Sequence, residues 1–212
     1  MDHAFWNERW QEGRIGFHNN QVHPMLAAQI GTLGLAPGGR VFLPLCGKTV
    51  DIGWLLEQDY RVAGVELSRI AVEQLFEELG VEPEISRDGP LTRFSAPGLD
   101  VWAGDIFDLS AEVLGPVDAV YDRAALVALP LGMRPRYATH VPAITCHATQ
   151  LLITFDYDQS VMKGPPFSVP LGEITALYGR GFAISDLLAE PVTGGLKGIA
   201  PATEIACLLR AL

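Results

Sequence analysis

Short apolar runs recur along the chain, and most pairs are separated by enough residues for a helix. The first run, residues 41–45 (VFLPL), stops at Cys46-Gly47-Lys48. A segment with Ile52, Leu55 and Leu56 on one side follows, and a second run at residues 62–65 stops at Glu66. This pattern predicts strand, glycine turn, helix and strand. Pro44 has no N–H for a ladder and is expected at the strand's exit. Ser68 is a suitable N-cap for a helix running to Leu79, with Gly80 as its stop. Residues 86–98 predict a loop or a short hairpin. Further strands are expected at residues 99–103, 117–121 and 150–155, and helices at 136–147, despite Pro142, and 171–178. The last two runs, 182–188 and 204–209, have too few residues between them for a helical crossover, so they should pair as an antiparallel hairpin at the sheet edge.

The first forty residues stand outside this alternation. Phe5, Trp6, Arg9 and Trp10 fall at helical spacing, and residues 13–18 (GRIGFH) are rich in turn formers. His23-Pro24 opens a second helix, which Pro37-Gly38-Gly39 ends. Across 212 residues the pattern reads as one domain: an N-terminal helical cover over residues 1–40 and an α/β core over 41–212.

Candidate chemistry gathers where the strands end, at Cys46, Glu66, Asp105, Asp122-Arg123 and Asp156. In open α/β sheets the ligand crevice lies outside those carboxyl ends. Glu66 lies 19 positions after Gly47, the separation at which an acid ending the second strand can accept ribose hydroxyls. That suggests an adenosine cofactor and leaves open which one, since the same arrangement occurs in α/β proteins that bind no nucleotide. The G-x-G-x-x-G that closes on a pyrophosphate is missing, as is a phosphate-loop Ser or Thr after Lys48. S-adenosylmethionine, which carries no phosphate, does not require those glycines.

Composition narrows the function further. A net charge of −10 argues against general nucleic-acid binding, and there is no apolar run of 18 residues to span a membrane. The N-terminus has no apolar signal core, and the three cysteines, Cys46, Cys146 and Cys207, sit among apolar neighbours. Both features point to a reducing cytoplasm. No H-x-x-x-H or C-x-x-C occurs, so no metal site is expected. Asp122 is expected to cap the following turn rather than to act on substrate.

The chain resembles thiopurine S-methyltransferase in its bacterial form over nearly its whole length. The segments that carry the resemblance are FWNERWQEGRIGFH (5–18), LPLCGKTVDIGWL (43–55), GVELS (64–68), YDRAALVALP (121–130) and GPPFSVP (164–170). It implies a class I methyltransferase fold, Rossmann-like, with a seven-stranded, mostly parallel sheet, helices on both faces and an antiparallel C-terminal strand. It implies S-adenosylmethionine as cofactor, bound through Trp10, Leu45, Glu66 and Arg123, with Asp105 and Ile106 at the adenine. It also places Phe17 against the methyl acceptor, with Arg123 as the catalytic and substrate-contacting cation. The implied acceptors are thiopurines and other aromatic or heterocyclic thiols, and selenium or tellurium compounds, handled by a monomer.

Two other readings share parts of the pattern. A nicotinamide-dependent oxidoreductase would share the strand-Gly-helix-strand-acid unit but lacks its second and third glycines here. A non-catalytic S-adenosylmethionine-binding protein would keep Glu66 but not Phe17, Arg123 and the 164–170 loop. Against a methyltransferase of nucleic acid stand the acidic charge and the lack of an N/D-P-P-Y/F-type motif after the fourth strand.

Overall fold

A computed structural model describes residues 3–16 and 18–212. Two helices come first, α1 (His3–Gln11) and α2 (Pro24–Gln29), followed by β1 (Arg40–Pro44), α3 (Asp51–Glu57), β2 (Arg61–Glu66) and α4 (Arg69–Leu79). A hairpin of β3 (Glu84–Asp88) and β4 (Leu91–Ala96) leads into β5 (Leu99–Ala103) and the short α5 (Ala111–Leu114). Then come β6 (Ala119–Arg123), α6 (Arg134–Ile144), β7 (Thr149–Tyr157), α7 (Leu171–Tyr178), β8 (Phe182–Pro191) and β9 (Ala202–Ala211).

Among the described residues the strands form one sheet in the order β3-β4-β5-β2-β1-β6-β7-β9-β8. The pairs joining β5, β2, β1, β6 and β7 are parallel, and β9 runs antiparallel between β7 and β8. The class I methyltransferase arrangement expected from the sequence is present, with one correction to the count. Seven strands were expected and the sheet has nine, because residues 84–96 form the hairpin, not the loop, of the two options. The hairpin adds to the sheet because Leu91 and Phe94 of β4 are buried against it, while β3 forms a largely exposed edge. Arg93 of β4 also donates to Asp100 of β5 at 2.7 Å.

The core forms two layers because successive strand residues point to opposite faces. Phe42, Val120, Leu152 and Cys207 pack with α6 and α7 through Tyr137, Val141, Ile174 and Tyr178. Their sequence neighbours Val41, Leu43, Tyr121, Leu151 and Leu208 pack on the other face with α2, α3 and α4. The second N-terminal helix is therefore core on one side: Met25 and Leu26 are buried. Pro44 pairs with Val65 as the last residue of β1, the exit position read for it. The helix expected at 136–147 starts two residues earlier, with Pro135 in its first turn, and ends at Ile144, leaving His147 in a left-handed turn at φ 57°.

Candidate active site

The sheet order turns about β1, with β2 on one side and β6 on the other. The loops that follow β1 and β6 diverge there and open a crevice at the carboxyl ends of the strands. A cavity of about 400 Å³ lies in it.

The wall at β1 and β2 is made by backbone. After Pro44 the chain turns sharply: Leu45 adopts φ 47°, Cys46 donates its N–H to the Val65 carbonyl at 3.1 Å, and Gly47 adopts φ 55°. A Cβ on Gly47 would meet the Trp10 ring at 3.2 Å, so both the conformation and the contact favour glycine. Trp10, only 4 % exposed, closes α1 onto this turn. Glu66 ends β2 beneath it and is 7 % exposed. Its Oε2 accepts from the Gly47 N–H at 2.9 Å and its Oε1 from the Ser68 N–H at 2.8 Å. Burial raises the Glu66 pKa, and these backbone donors pull it back. Each oxygen retains a lone pair for a further donor. Cys46 packs under the turn, with its thiol where a Cβ on Gly64 would come within 2.8 Å. Burial, then the Glu66 charge, pushes the thiol pKa well up, so it is neutral packing.

The wall at β6 to β9 is made by side chains. Arg123 ends β6 and lines the cavity, and Ala124 beyond it takes a left-handed φ of 62°. Among the described residues the Arg123 guanidinium makes no hydrogen bond and no ion pair. Its charge, after burial and Lys48, helps to lower the His18 pKa. Its neighbour Asp122 points to the opposite face. There it accepts from the Leu126 N–H at 3.1 Å and the Tyr137 O–H at 2.6 Å. It was expected to cap the following turn; the N-cap of the 3₁₀ turn Leu126–Ala128 is Ala125, and Asp122 instead holds the first N–H of that turn from the strand end. Burial pushes its pKa up to about 6. Phe155, Pro165, Pro166, Val192 and Leu196 make the rest of this end apolar. Lys197 lies at its rim with its ammonium 2.6 Å from the Pro165 carbonyl, and its pKa is lowered by burial and then by Arg9.

Of the six cofactor positions read from the sequence, Trp10, Leu45, Glu66 and Arg123 meet at this cavity. Asp105 and Ile106 lie outside its lining. Asp105 caps the 3₁₀ turn Ile106–Asp108 by accepting from the Phe107 N–H at 3.0 Å, and its other oxygen meets Nε2 of His3 in α1 at 2.9 Å. Ile106 is buried in the core and its carbonyl meets Nε2 of His140 at 2.8 Å. Phe17 lies outside the described residues; Gly16 and His18 on either side of it line the cavity.

The sequence reading missed His23, Asp51, Tyr121, Glu204 and Lys197, all on the cavity wall. Only Asp51 left a trace, as an acid opening a helix just after the glycine turn. The others come from distant segments that only the sheet brings together.

A family profile described as thiopurine S-methyltransferase matches residues 1–197. A thiopurine S-methyltransferase of Xanthobacter autotrophicus is 56% identical over 210 residues, 99% of each chain. The chain belongs to the thiopurine S-methyltransferase family. A relative of the same name from Gluconobacter oxydans is 47% identical over 95% of this chain and 91% of its own. Family membership carries an enzymatic activity, methyl transfer to a thiopurine sulfur, with S-adenosylmethionine as the methyl source, and it sets aside the nicotinamide-dependent reading. Solved structures agree at the level of fold. The 1,6-didemethyltoxoflavin-N1-methyltransferase of Burkholderia thailandensis superposes with a TM-score of 0.65 at 15% identity, covering 98% of this chain and 87% of its own. A TehB-like S-adenosylmethionine-dependent methyltransferase of Corynebacterium glutamicum gives 0.60 at 13% identity, covering 99% and 98%.

Proposed function

We propose that this family member divides its cavity into a cofactor end at β1 and β2 and an acceptor end at β6 to β9. Its acceptors, on this reading, are thiopurines and other aromatic or heterocyclic thiols, together with selenium and tellurium nucleophiles. The observation that carries the division is Glu66, a buried carboxylate fixed by two backbone N–H groups with lone pairs to spare, in the same cavity as an apolar wall and an Arg123 that has no partner among the described residues.

The residues at the first end suit S-adenosylmethionine. Glu66 would accept the ribose hydroxyls, and the bare backbone at Gly47 permits close approach. Leu45 and Trp10 line the methionine side, where an indole face near a sulfonium contributes about 0.5–2 kcal/mol. When bound, the cofactor supplies an electrophilic methyl group. Asp105, outside the cavity lining, would reach the adenine amino group, with Ile106 near the ring, only by giving up His3, which would couple α1 to cofactor binding. At the second end Arg123 favours an anionic acceptor and fixes its orientation, and stacking on a planar acceptor is the role the family resemblance implies for Phe17, outside the described residues. Phe155, Pro165 and Leu196 exclude water that would compete for the charges. Heterocyclic thiols ionise readily, so positioning and dryness account for most of the acceleration.

On this reading the protein works as a monomer. The free cysteines, two of them buried, support a cytoplasmic setting. No helix among the described residues is long and apolar enough to cross a membrane. The test is transfer of labelled methyl from S-adenosylmethionine to 6-mercaptopurine, thiophenols, selenite and tellurite. Product with the sulfur acceptors and with at least one metalloid is expected. Transfer to oxygen or nitrogen acceptors in preference to thiols would overturn the reading.

A further inference from the structure

A chain of titratable groups on the acceptor wall has no part in the roles above. Glu204, at the start of β9, accepts or shares a hydrogen bond with Nε2 of His23 at 3.1 Å. The His23 backbone N–H donates to Asp51 Oδ1 at 2.8 Å, and Asp51 Oδ2 accepts from the Tyr121 O–H at 3.0 Å. All four residues line the cavity. Burial, then the Asp51 charge, pushes the Tyr121 pKa well up, which keeps its hydroxyl a donor.

The sheet order places Glu204 at the acceptor end. From β2, which carries Glu66, to β9 is four strand steps, about 19 Å at the usual spacing. Glu204 stands opposite Phe155 of β7, itself on the apolar wall. The two partners also differ in access. The Glu204 side chain is 18 % exposed and that of His23 6 %, so the carboxylate is the more accessible of the two. Nδ1 of His23 is buried without a partner among the described residues, which leaves hydrogen-bonding capacity at this wall unused. The backbone bond to Asp51 fixes where the imidazole starts, and the imidazole fixes Glu204.

We infer that Glu204, oriented by His23, takes the proton of acceptors that enter the cavity as neutral thiols. The inference rests on the thiol-methyltransferase reading and extends it to acceptors too weakly acidic to ionise unaided. The acceptor sulfur bonds to the methyl carbon while the bond from that carbon to the sulfonium breaks, its electron pair staying on the departing sulfur. The acceptor's proton passes to a Glu204 carboxylate oxygen and from there to water, which the partly exposed side chain can reach. Glu204 is a catalytic residue in this step, and His23 a positioning residue. Asp51 and Tyr121 face the pair from α3 and β6, and Arg123 ends the same β6 strand.

Two acceptors separate this role from a structural one: benzyl mercaptan, still protonated at neutral pH, and 4-nitrothiophenol, already ionised there. In Glu204→Gln the ratio of kcat for benzyl mercaptan to kcat for 4-nitrothiophenol should fall about 100-fold, the usual scale of a lost general base. The loss should lie in kcat, not KM, and Glu204→Asp should recover part of it. His23→Asn should lower the same ratio by a smaller factor. Equal losses on both acceptors, or an unchanged ratio, would overturn the role. If the glutamine variant does not fold, the ratio in His23→Asn decides in the same way. Methylation of 4-nitrothiophenol by the wild type tests the underlying reading separately, and its absence would overturn both.

Discussion

The two ends of the cavity are built from different materials. At the cofactor end the functional atoms are held by backbone: two N–H groups grip Glu66, and the turn at Leu45 and Gly47 takes left-handed conformations over a single short stretch. At the acceptor end Arg123, Lys197, Glu204 and His23 project from four separate segments onto an apolar wall. A backbone-built site is rigid and selects one ligand. A side-chain-built site can be reshaped residue by residue, which suits a broad set of soft nucleophiles. Substitutions at Glu66, Arg123 and His3 should therefore affect one end and spare the other, and Asp122 should affect neither.

The largest effect is expected at Glu66. Replacing it with alanine removes a charged acceptor, worth about 1.5–3 kcal/mol per hydrogen bond, and orphans the buried Gly47 and Ser68 N–H groups. Affinity for S-adenosylhomocysteine, followed by calorimetry, should drop about 100-fold in a variant whose melting shows that it still folds. Undiminished affinity would remove Glu66 from the cofactor end.

Arg123→Ala should act on turnover, lowering kcat for a heterocyclic thiol about tenfold while cofactor affinity changes less than threefold. The thiol should react at higher pH than with wild type, because less thiolate is stabilised. Arg123→Lys should restore part of the rate, since an ammonium lacks the planar fork. Coincident pH–rate profiles for all three proteins would make Arg123 structural.

Asp122, one residue away, should matter for stability alone. Burial raises its folded pKa to about 6 from an ordinary 3.8. Between about pH 4 and 6 the folded state then holds more protons than the unfolded state, so this group's contribution falls as pH rises through that window, by about 3 kcal/mol at most. Asp122→Asn lacks this loss. The stability difference between wild type and variant should shift against the wild type from about pH 4 to 6 and level off above. A difference independent of pH would show that the carboxyl titrates normally.

The smallest effect is expected in α1. If Asp105 exchanges His3 for the adenine, His3→Ala should tighten S-adenosylhomocysteine binding a few-fold, and exchange of the amides in residues 5–16 should change on adding ligand. Identical exchange with and without ligand would separate α1 from the cofactor end.

The same contrast explains what the sequence disclosed. Strand, glycine turn, helix and acid lie in one contiguous stretch, so periodicity and the spacing from Gly47 to Glu66 were enough to point to the end proposed for the cofactor. Asp122 was legible as an acceptor for the following turn, though not its N-cap, because its partner N–H is four residues away. The hairpin at 84–96 was half legible: its turn residues stood out, but its pairing depends on β5. Asp105 illustrates the converse, since its strand-end position pointed to the cavity while a helix over a hundred residues earlier supplies its partner. Glu204 and His23 were invisible because they lie 181 residues apart and meet only through β9. Local pattern cannot report a pair that tertiary structure creates.

The division of one cavity into two ends is tested most directly by titrating 6-mercaptopurine into protein already saturated with S-adenosylhomocysteine. Two adjoining ends predict that one thiopurine binds per chain without displacing the first ligand. Mutually exclusive binding, with each ligand expelling the other, would contradict the account.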